Sequence, residues 1–442
     1  MNKNTWIVGF MLFAIFFGAG NLIFPPNLGF SSGQFFWPAI FGFVITGVGL
    51  PLLGIIVGSL DEDGYKGALK KINPTFGVIF LVAIYLTIGP LFAIPRTGAT
   101  SYEMAVVPFL DKPSAMSLFI FTLIFFGITL WLSINPSKMV DRIGSILTPL
   151  LLVSIIALVI KGFMLLSDES PVTADSNIYT GNTRSFFTGF TNGYNTMDAI
   201  AAIAFSVIVI SAIKGKGITK ETGLFKQTAF SGIIAAIALG FIYVSLGWIG
   251  SRYHLTQDEL SNISNNELDL GTYLLTHVAN ATYGTFGKLL IGAIVSLACL
   301  TTSTGLVVAV SEYFHEIFPR ISYKMYAVVF TLFSLVLANQ GLSSVIAMSI
   351  PVLLVLYPIA MTLLLTMLLA KFIPTPQLAM QIPIFIVTII AILSVLQSQF
   401  QIAPFMDHLP LKEESMEWLL FAIVGYVIGL LIGKDKEKIV YS

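Results

Sequence analysis

The sequence predicts an all-α integral membrane protein that crosses the bilayer about twelve times. Three observations predict it. Apolar residues make up 56% of the 442 and charged residues only 10%, with a mean hydropathy of +0.89; soluble domains carry about 25% charge. Apolar stretches of bilayer length recur along the whole chain. The basic residues also alternate between successive connections, as membrane topology requires.

The apolar runs fall at 6–28, 36–58, 75–103, 117–135, 141–166, 188–213, 224–250, 285–314, 324–338, 343–370, 380–400 and 416–433. The first begins like a signal peptide, with Lys3 before an apolar run. It continues past Asn21 into Pro25-Pro26 with no small-residue cleavage site, so it is read as a retained span. Pro90 and Pro95 interrupt the third run, and the tenth contains Pro351 and Pro358. Neighbouring helices or water can satisfy the carbonyls that such prolines free.

With a cytoplasmic amino terminus, the inner connections hold sixteen of the 23 basic residues: Lys3; Lys66, Lys70 and Lys71; Lys138 and Arg142; Lys214, Lys216, Lys220 and Lys226; Arg320 and Lys324; Lys371; and Lys434, Lys436 and Lys438. The outer side and span ends keep Arg96, Lys112, Lys161, Arg184, Arg252, Lys288 and Lys412. The longest connections, about 168–187 and 251–284, fall outside and are acidic, with Asp168, Glu169 and Asp175 in one and Asp258, Glu259, Glu267 and Asp269 in the other. A missed span would reverse the alternation downstream, and none does. Both termini are therefore expected in the cytoplasm.

Several function classes drop out. A formal charge of zero gives no pull toward nucleic acid. The single Cys299 rules out an internal disulfide and a cysteine-based zinc site. His254, His277, His315 and His408 lie in loops or at span ends and form no ligand pair at helical spacing. No nucleophile with a nearby base, phosphate loop, filter-like repeat or charged ring is visible, so neither an enzyme nor a channel is expected. No soluble domain, cofactor motif or obligate protein partner is evident.

Two spans depart from ordinary apolar sequence. In the first, Gly18, Ala19, Gly20 and Asn21 follow Phe16-Phe17 and precede Pro25-Pro26, through which a helix is not expected to continue readily. In the sixth, Thr191-Asn192-Gly193-Tyr194-Asn195-Thr196-Met197-Asp198 is polar deep inside the run. A break bares amides at one half-helix end, which suit a carboxylate, and carbonyls at the other, which suit a cation. Close helix packing through small residues is the alternative for Gly18 and Gly20. The breaks lie five spans apart, so the second copy enters the membrane inverted. This implies a five-plus-five inverted repeat: residues 1–170, then 171–371, then two peripheral helices and a tail over 372–442.

A third feature is Thr301-Thr302-Ser303-Thr304 in the eighth span. Ala298, Thr301 and Thr302 share a helix face, where oxygens could complete the shell of a small hard cation. The alternative is that each hydroxyl bonds the carbonyl one turn back.

These residues carry a resemblance. The chain resembles the bacterial branched-chain amino acid carriers, cation-coupled Leu/Ile/Val symporters of the amino acid-polyamine-organocation superfamily, over essentially its full length. The most specific pieces are Phe16 to Pro26, Ile94-Pro95-Arg96-Thr97-Gly98-Ala99-Thr100, and Tyr194-Asn195-Thr196-Met197-Asp198-Ala199. The resemblance implies the amino acid/sodium symporter fold, a bacterial cytoplasmic membrane, a branched-chain amino acid as substrate, and sodium as coupling ion, with a proton as the alternative. It implies that amides around Gly18, Ala19, Gly20 and Asn21 hold the substrate carboxylate, and that Tyr194, Asn195 and Thr196 receive the ammonium group. It places sodium on the carbonyls of Ala14 and Phe17 with Ala298, Thr301 and Thr302; Ser303 is the register-shifted alternative to Thr301. The arginine that some relatives carry before the phenylalanine and proline of the first span is missing here, within Ile23-Phe24, so a gate built on it is not carried over.

Two intramembrane charges stay open at this point. Asp198, near the middle of the sixth span, could bind the ammonium group, carry a proton or hold the broken helix to a neighbour. Arg96, some twenty residues into the third run, could snorkel to the outer interface, pair with Asp198 or Glu103, or line an outer vestibule.

Overall fold

The computed structural model describes residues 3–61, 63–134, 138–204, 206, 210, 213–215, 223–433 and 438–439. Among these, eight helices are long and apolar enough to cross a membrane. They supply the second, third, fourth, fifth, seventh, eighth, tenth and eleventh spans. The ninth, Tyr323–Ala338, and the twelfth, Glu417–Ile432, are shorter. The first and sixth are interrupted. Among the described residues the protein is thus an all-α bundle of membrane-spanning helices. Trp37, Phe41, Trp131, Ile237 and Phe385 stand more than half exposed around it, an apolar exterior that suits lipid and not water. Of the basic residues assigned to the inner side, Lys216, Lys220, Lys434 and Lys436 lie outside the described residues.

The first span is a helix over Lys3–Phe16, an irregular stretch over 17–19, and a second helix over Gly20–Ser32. The expected break is there, but the helix does continue through Pro25 and Pro26. Those prolines free carbonyls on the preceding turn. The seventh span, Leu224–Gly250, lies so close that a methyl group on Gly250 would meet the Pro26 carbonyl oxygen at 2.1 Å.

The second span runs from Phe36 to Gly58 and widens to a π-helical turn over Ile45–Gly49. The third is helical over Pro74–Leu86, π-helical over Thr87–Leu91 and helical again over Ala93–Ala105. Its bend sits at Gly89 (φ −96°, ψ −124°) and Phe92, beside Pro90 as expected. The acidic connection before the eighth span folds into a short helix, Gln257–Asn265, capped by reciprocal Thr256 and Glu259 hydrogen bonds. The following helix, Leu270–Ile317, kinks at Gly284, where the eighth span proper begins. Thr375–Pro376 pairs antiparallel with Lys438–Ile439 in a two-residue bridge beside the eleventh span, Gln377–Phe400.

Candidate functional site

The two breaks face each other. At the first, the backbone amides of Gly18, Ala19 and Gly20 take no hydrogen bond among the described residues, and Ala19 supplies no side-chain cap to the helix that follows. Three bare N–H groups at a helix start make an anion-binding end. Asn21, 2% exposed, donates back to the Phe16 carbonyl at 2.9 Å and so fixes the irregular turn.

At the second break, the helix Asn182–Asn192 tightens to a 3-10 turn over Gly193–Thr196 and restarts at Asp198. Met197 between them holds a left-handed backbone (φ 63°), a conformation costing a non-glycine residue about 1–2 kcal/mol. The turn before it is closely packed. A methyl group on Gly193 would sit 1.9 Å from Thr46 Oγ1, in the π-helical turn of the second span. Thr46 in turn donates to the Phe190 carbonyl at 2.6 Å. Thr196 Oγ1 donates to the Gly193 carbonyl at 3.0 Å and accepts from the Asp198 amide at 3.4 Å, capping the restarted helix.

Asn21 and Asp198 join the two breaks directly: Asn21 Nδ2 donates to Asp198 Oδ2 at 2.8 Å. Tyr243, from the seventh span, donates its hydroxyl to the same carboxylate oxygen at 3.3 Å and also accepts from Asn21. No ion pair to Asp198 occurs among the described residues. The carboxylate therefore fastens the broken helices to one another and to the seventh span.

Arg96 does not snorkel. It is 6% exposed and turned inward, donating from Nη1 to the Asn195 carbonyl at 2.6 Å and from Nη2 to the Thr196 carbonyl at 3.5 Å. Its guanidinium lies 5.2 Å from the Phe24 ring centre, and a methyl on Gly20 would meet Nη2 at 3.0 Å. It pairs with neither Asp198 nor Glu103. Glu103 instead accepts from the Asp269 amide at 3.0 Å and from Thr272 Oγ1 at 2.5 Å, tying the third span to the helix before the eighth. Glu103 also lines a cavity of about 290 Å³ with Tyr102, Glu267 and Asn339.

Apolar groups surround this centre. Phe16, Phe17, Phe24, Tyr194 and Met197 are each at most 6% exposed. Tyr194 stacks on Tyr357 of the tenth span at 4.2 Å and 15°, and its hydroxyl has no partner among the described residues. Tyr243 and Tyr357 were not legible as site residues. Each is the one tyrosine of its span, and only tertiary packing aims it at the breaks.

The expected ion-binding residues are less tightly joined. The carbonyls of Ala14 and Phe17 accept no hydrogen bond among the described residues, and so stay free to coordinate. In the eighth span Thr301 Oγ1 bonds back to the Ala298 carbonyl at 2.8 Å, the alternative weighed for such hydroxyls. The Thr302 hydroxyl makes no hydrogen bond among the described residues, and Ser303 is fully buried with its hydroxyl unpartnered. Ala298 packs against the apolar cluster that contains Phe13, Phe16 and Phe17, but no hydrogen bond links the two spans here. A carbonyl and hydroxyl set of this type suits a small hard cation.

Comparison with known proteins agrees with this fold. Residues 1–436 match the family model described as "Branched-chain amino acid transport protein". A Staphylococcus saprophyticus protein named "Putative branched-chain amino acid carrier protein" is 59% identical over 446 residues, covering 100% of both chains. A Staphylococcus aureus protein of the same name is 56% identical over 443 residues, covering 99% of each. Among solved structures, MhsT in complex with L-phenylalanine superposes with a TM-score of 0.57 at 17% identity, covering 96% of this chain and 98% of that one. The inward-facing conformation of Mhp1 gives 0.58 at 13%, covering 97% and 90%. At these identities the solved structures speak for the fold alone.

Proposed function

We propose a transport cycle for this chain, which belongs to the branched-chain amino acid transport protein family and is a secondary amino acid transporter, not an enzyme. The proposed cargo is leucine, isoleucine or valine, moved with a cation into the cell across the bacterial cytoplasmic membrane, both termini lying inside. The two halves, 1–170 and 171–371, move relative to each other about the breaks, with 372–442 peripheral.

The observation that carries this is the Asn21–Asp198 hydrogen bond at 2.8 Å, which brings the two breaks together beside three bare amides. The carboxylate of the substrate lies on the bare amides of Gly18, Ala19 and Gly20; the Asn21 amide donates to the Gly18 carbonyl at 3.2 Å. Its ammonium group lies toward Asp198, beside the turn of Tyr194, Asn195 and Thr196, where Arg96 already occupies the Asn195 and Thr196 carbonyls. The branched side chain fills the surround of Phe16, Phe17, Phe24 and Met197. One methylene in such a pocket discriminates by only about 1–3 kcal/mol, so a single site takes all three substrates with modest preferences.

Sodium is the proposed coupling ion, held by the carbonyls of Ala14 and Phe17 with Ala298, Thr302 and Thr301 or Ser303. One monovalent cation moving down about 100 mV supplies roughly 2.3 kcal/mol, enough for about 50-fold accumulation at 1.4 kcal/mol per decade. A proton is the second reading. It is favoured by the buried Asp198 carboxylate, which has hydrogen-bond donors but no ion pair among the described residues.

Radiolabelled leucine uptake into proteoliposomes separates the two. Accumulation under an imposed sodium gradient at equal pH is expected. Accumulation under a pH gradient only would replace sodium by a proton, and uptake under neither would remove symport.

A further inference from the structure

We propose that Arg96 is a substrate-binding residue, the charged anchor for the carboxylate of the amino acid. This rests on the transport function proposed above and goes further by supplying the counter-charge that the bare amides lack. The guanidinium is 6% exposed, and no acidic group lies within the 4.0 Å of an ion pair among the described residues. Asp198 and Asp269 act on it only from farther away. A buried, unpaired charge is costly unless a partner arrives.

The geometry names that partner. Nη2 lies beside Gly20, close enough that a single methyl there would stand 3.0 Å from it. The amides of Gly18, Ala19 and Gly20 are bare at the same place. Of the five N–H groups of an arginine, the hydrogen bonds to Asn195 and Thr196 account for two, and Nε has no partner among the described residues. An anion on the amide end of the first break therefore falls within reach of the guanidinium. A carboxylate bound by two N–H groups in this way is held more firmly than by amides alone.

The same geometry sets the direction of the substrate. Asn195 already gives its carbonyl to Arg96 at 2.6 Å. A substrate ammonium on that carbonyl would sit against a fixed positive charge. With Arg96 in place the ammonium group is directed instead toward Asp198. The site thus offers a cation to the anionic end of the zwitterion and an anion to the cationic end.

The test uses the full chain in proteoliposomes and compares unlabelled leucine with leucinamide as competitors of leucine uptake, at a pH where both amines are protonated. In the wild type, leucinamide should compete about 10- to 100-fold more weakly, the span expected for a charge-assisted hydrogen bond. In Arg96→Gln that gap should close to about threefold or less, through weaker leucine binding, and Arg96→Lys should keep part of it. Gly20→Ala retains the arginine but pushes it aside, and should narrow the gap in the same direction by less. Arg96→Lys carries the test if Arg96→Gln does not fold. An unchanged gap in the folded variants would make Arg96 a purely structural clasp, and tighter leucine binding in Arg96→Gln would make it a competitor for the ammonium site. Either overturns the proposal while leaving transport intact; a wild type that takes up no leucine would remove both.

Discussion

The two broken spans look equivalent in topology, yet their exposed backbone groups are in opposite states. At the first break the amides of Gly18, Ala19 and Gly20 are bare, and so are the carbonyls of Ala14 and Phe17. At the second, the Asn195 and Thr196 carbonyls already accept from Arg96, and the Gly193 carbonyl accepts from Thr196. The first break is thus open for ligands, while the second is braced by the protein itself. The bracing extends to sterics. A methyl on Gly18 would have only Asn21 Oδ1 near it, at 4.0 Å, whereas one on Gly193 would meet Thr46 Oγ1 at 1.9 Å. A braced turn holds Asp198 in place, and an open one leaves backbone groups free for the proposed substrate and ion.

Substitutions can break this contrast. The largest effect is expected from Gly193→Ala, which forces the sixth span off the second; overpacking of this kind costs about 1–3 kcal/mol. Thermal unfolding in detergent should show a clear loss, and an unchanged melting temperature would mean the second break is not braced by that contact. Gly18→Ala is expected to leave the melting temperature within about 1 °C, since nothing is displaced. Its leucine affinity should nevertheless fall by about 3- to 10-fold, because a methyl intrudes on the bare amides.

The smallest effects are expected on the ion side. Thr302→Ala should raise the sodium concentration for half-maximal uptake with little change in stability. Ser303→Ala removes a buried hydroxyl without a partner, so stability should hold or rise slightly. Whichever of the two shifts the sodium dependence marks the hydroxyl that faces the ion, and a shift in neither would take both out of the site.

Much of this is legible in the sequence, and the exceptions share a cause. Span positions follow from hydropathy, and the breaks follow from Gly18, Gly20 and the polar run at 191–198, because these are local properties. The helix through Pro25 and Pro26 runs against its local signal, and it packs against Gly250 from a span far along the chain. The inward turn of Arg96 is hidden for a similar reason. Counting residues along the third span puts it near the outer end. The π-helical turn at Thr87–Leu91 and the bend at Gly89 redirect the following helix, and the acceptors of Arg96 lie about a hundred residues on. Tyr243 and Tyr357 give no local signal at all.

The most direct test of a substrate site between the breaks is protection of a single cysteine. The native Cys299 is buried. In a Cys299→Ala background, Asn195→Cys places a thiol at the half-buried edge of the second break. Labelling by a small maleimide should slow several-fold in saturating leucine, with a concentration dependence that follows leucine uptake. Labelling at the same rate with and without leucine, in a preparation that still transports it, would put the substrate somewhere else.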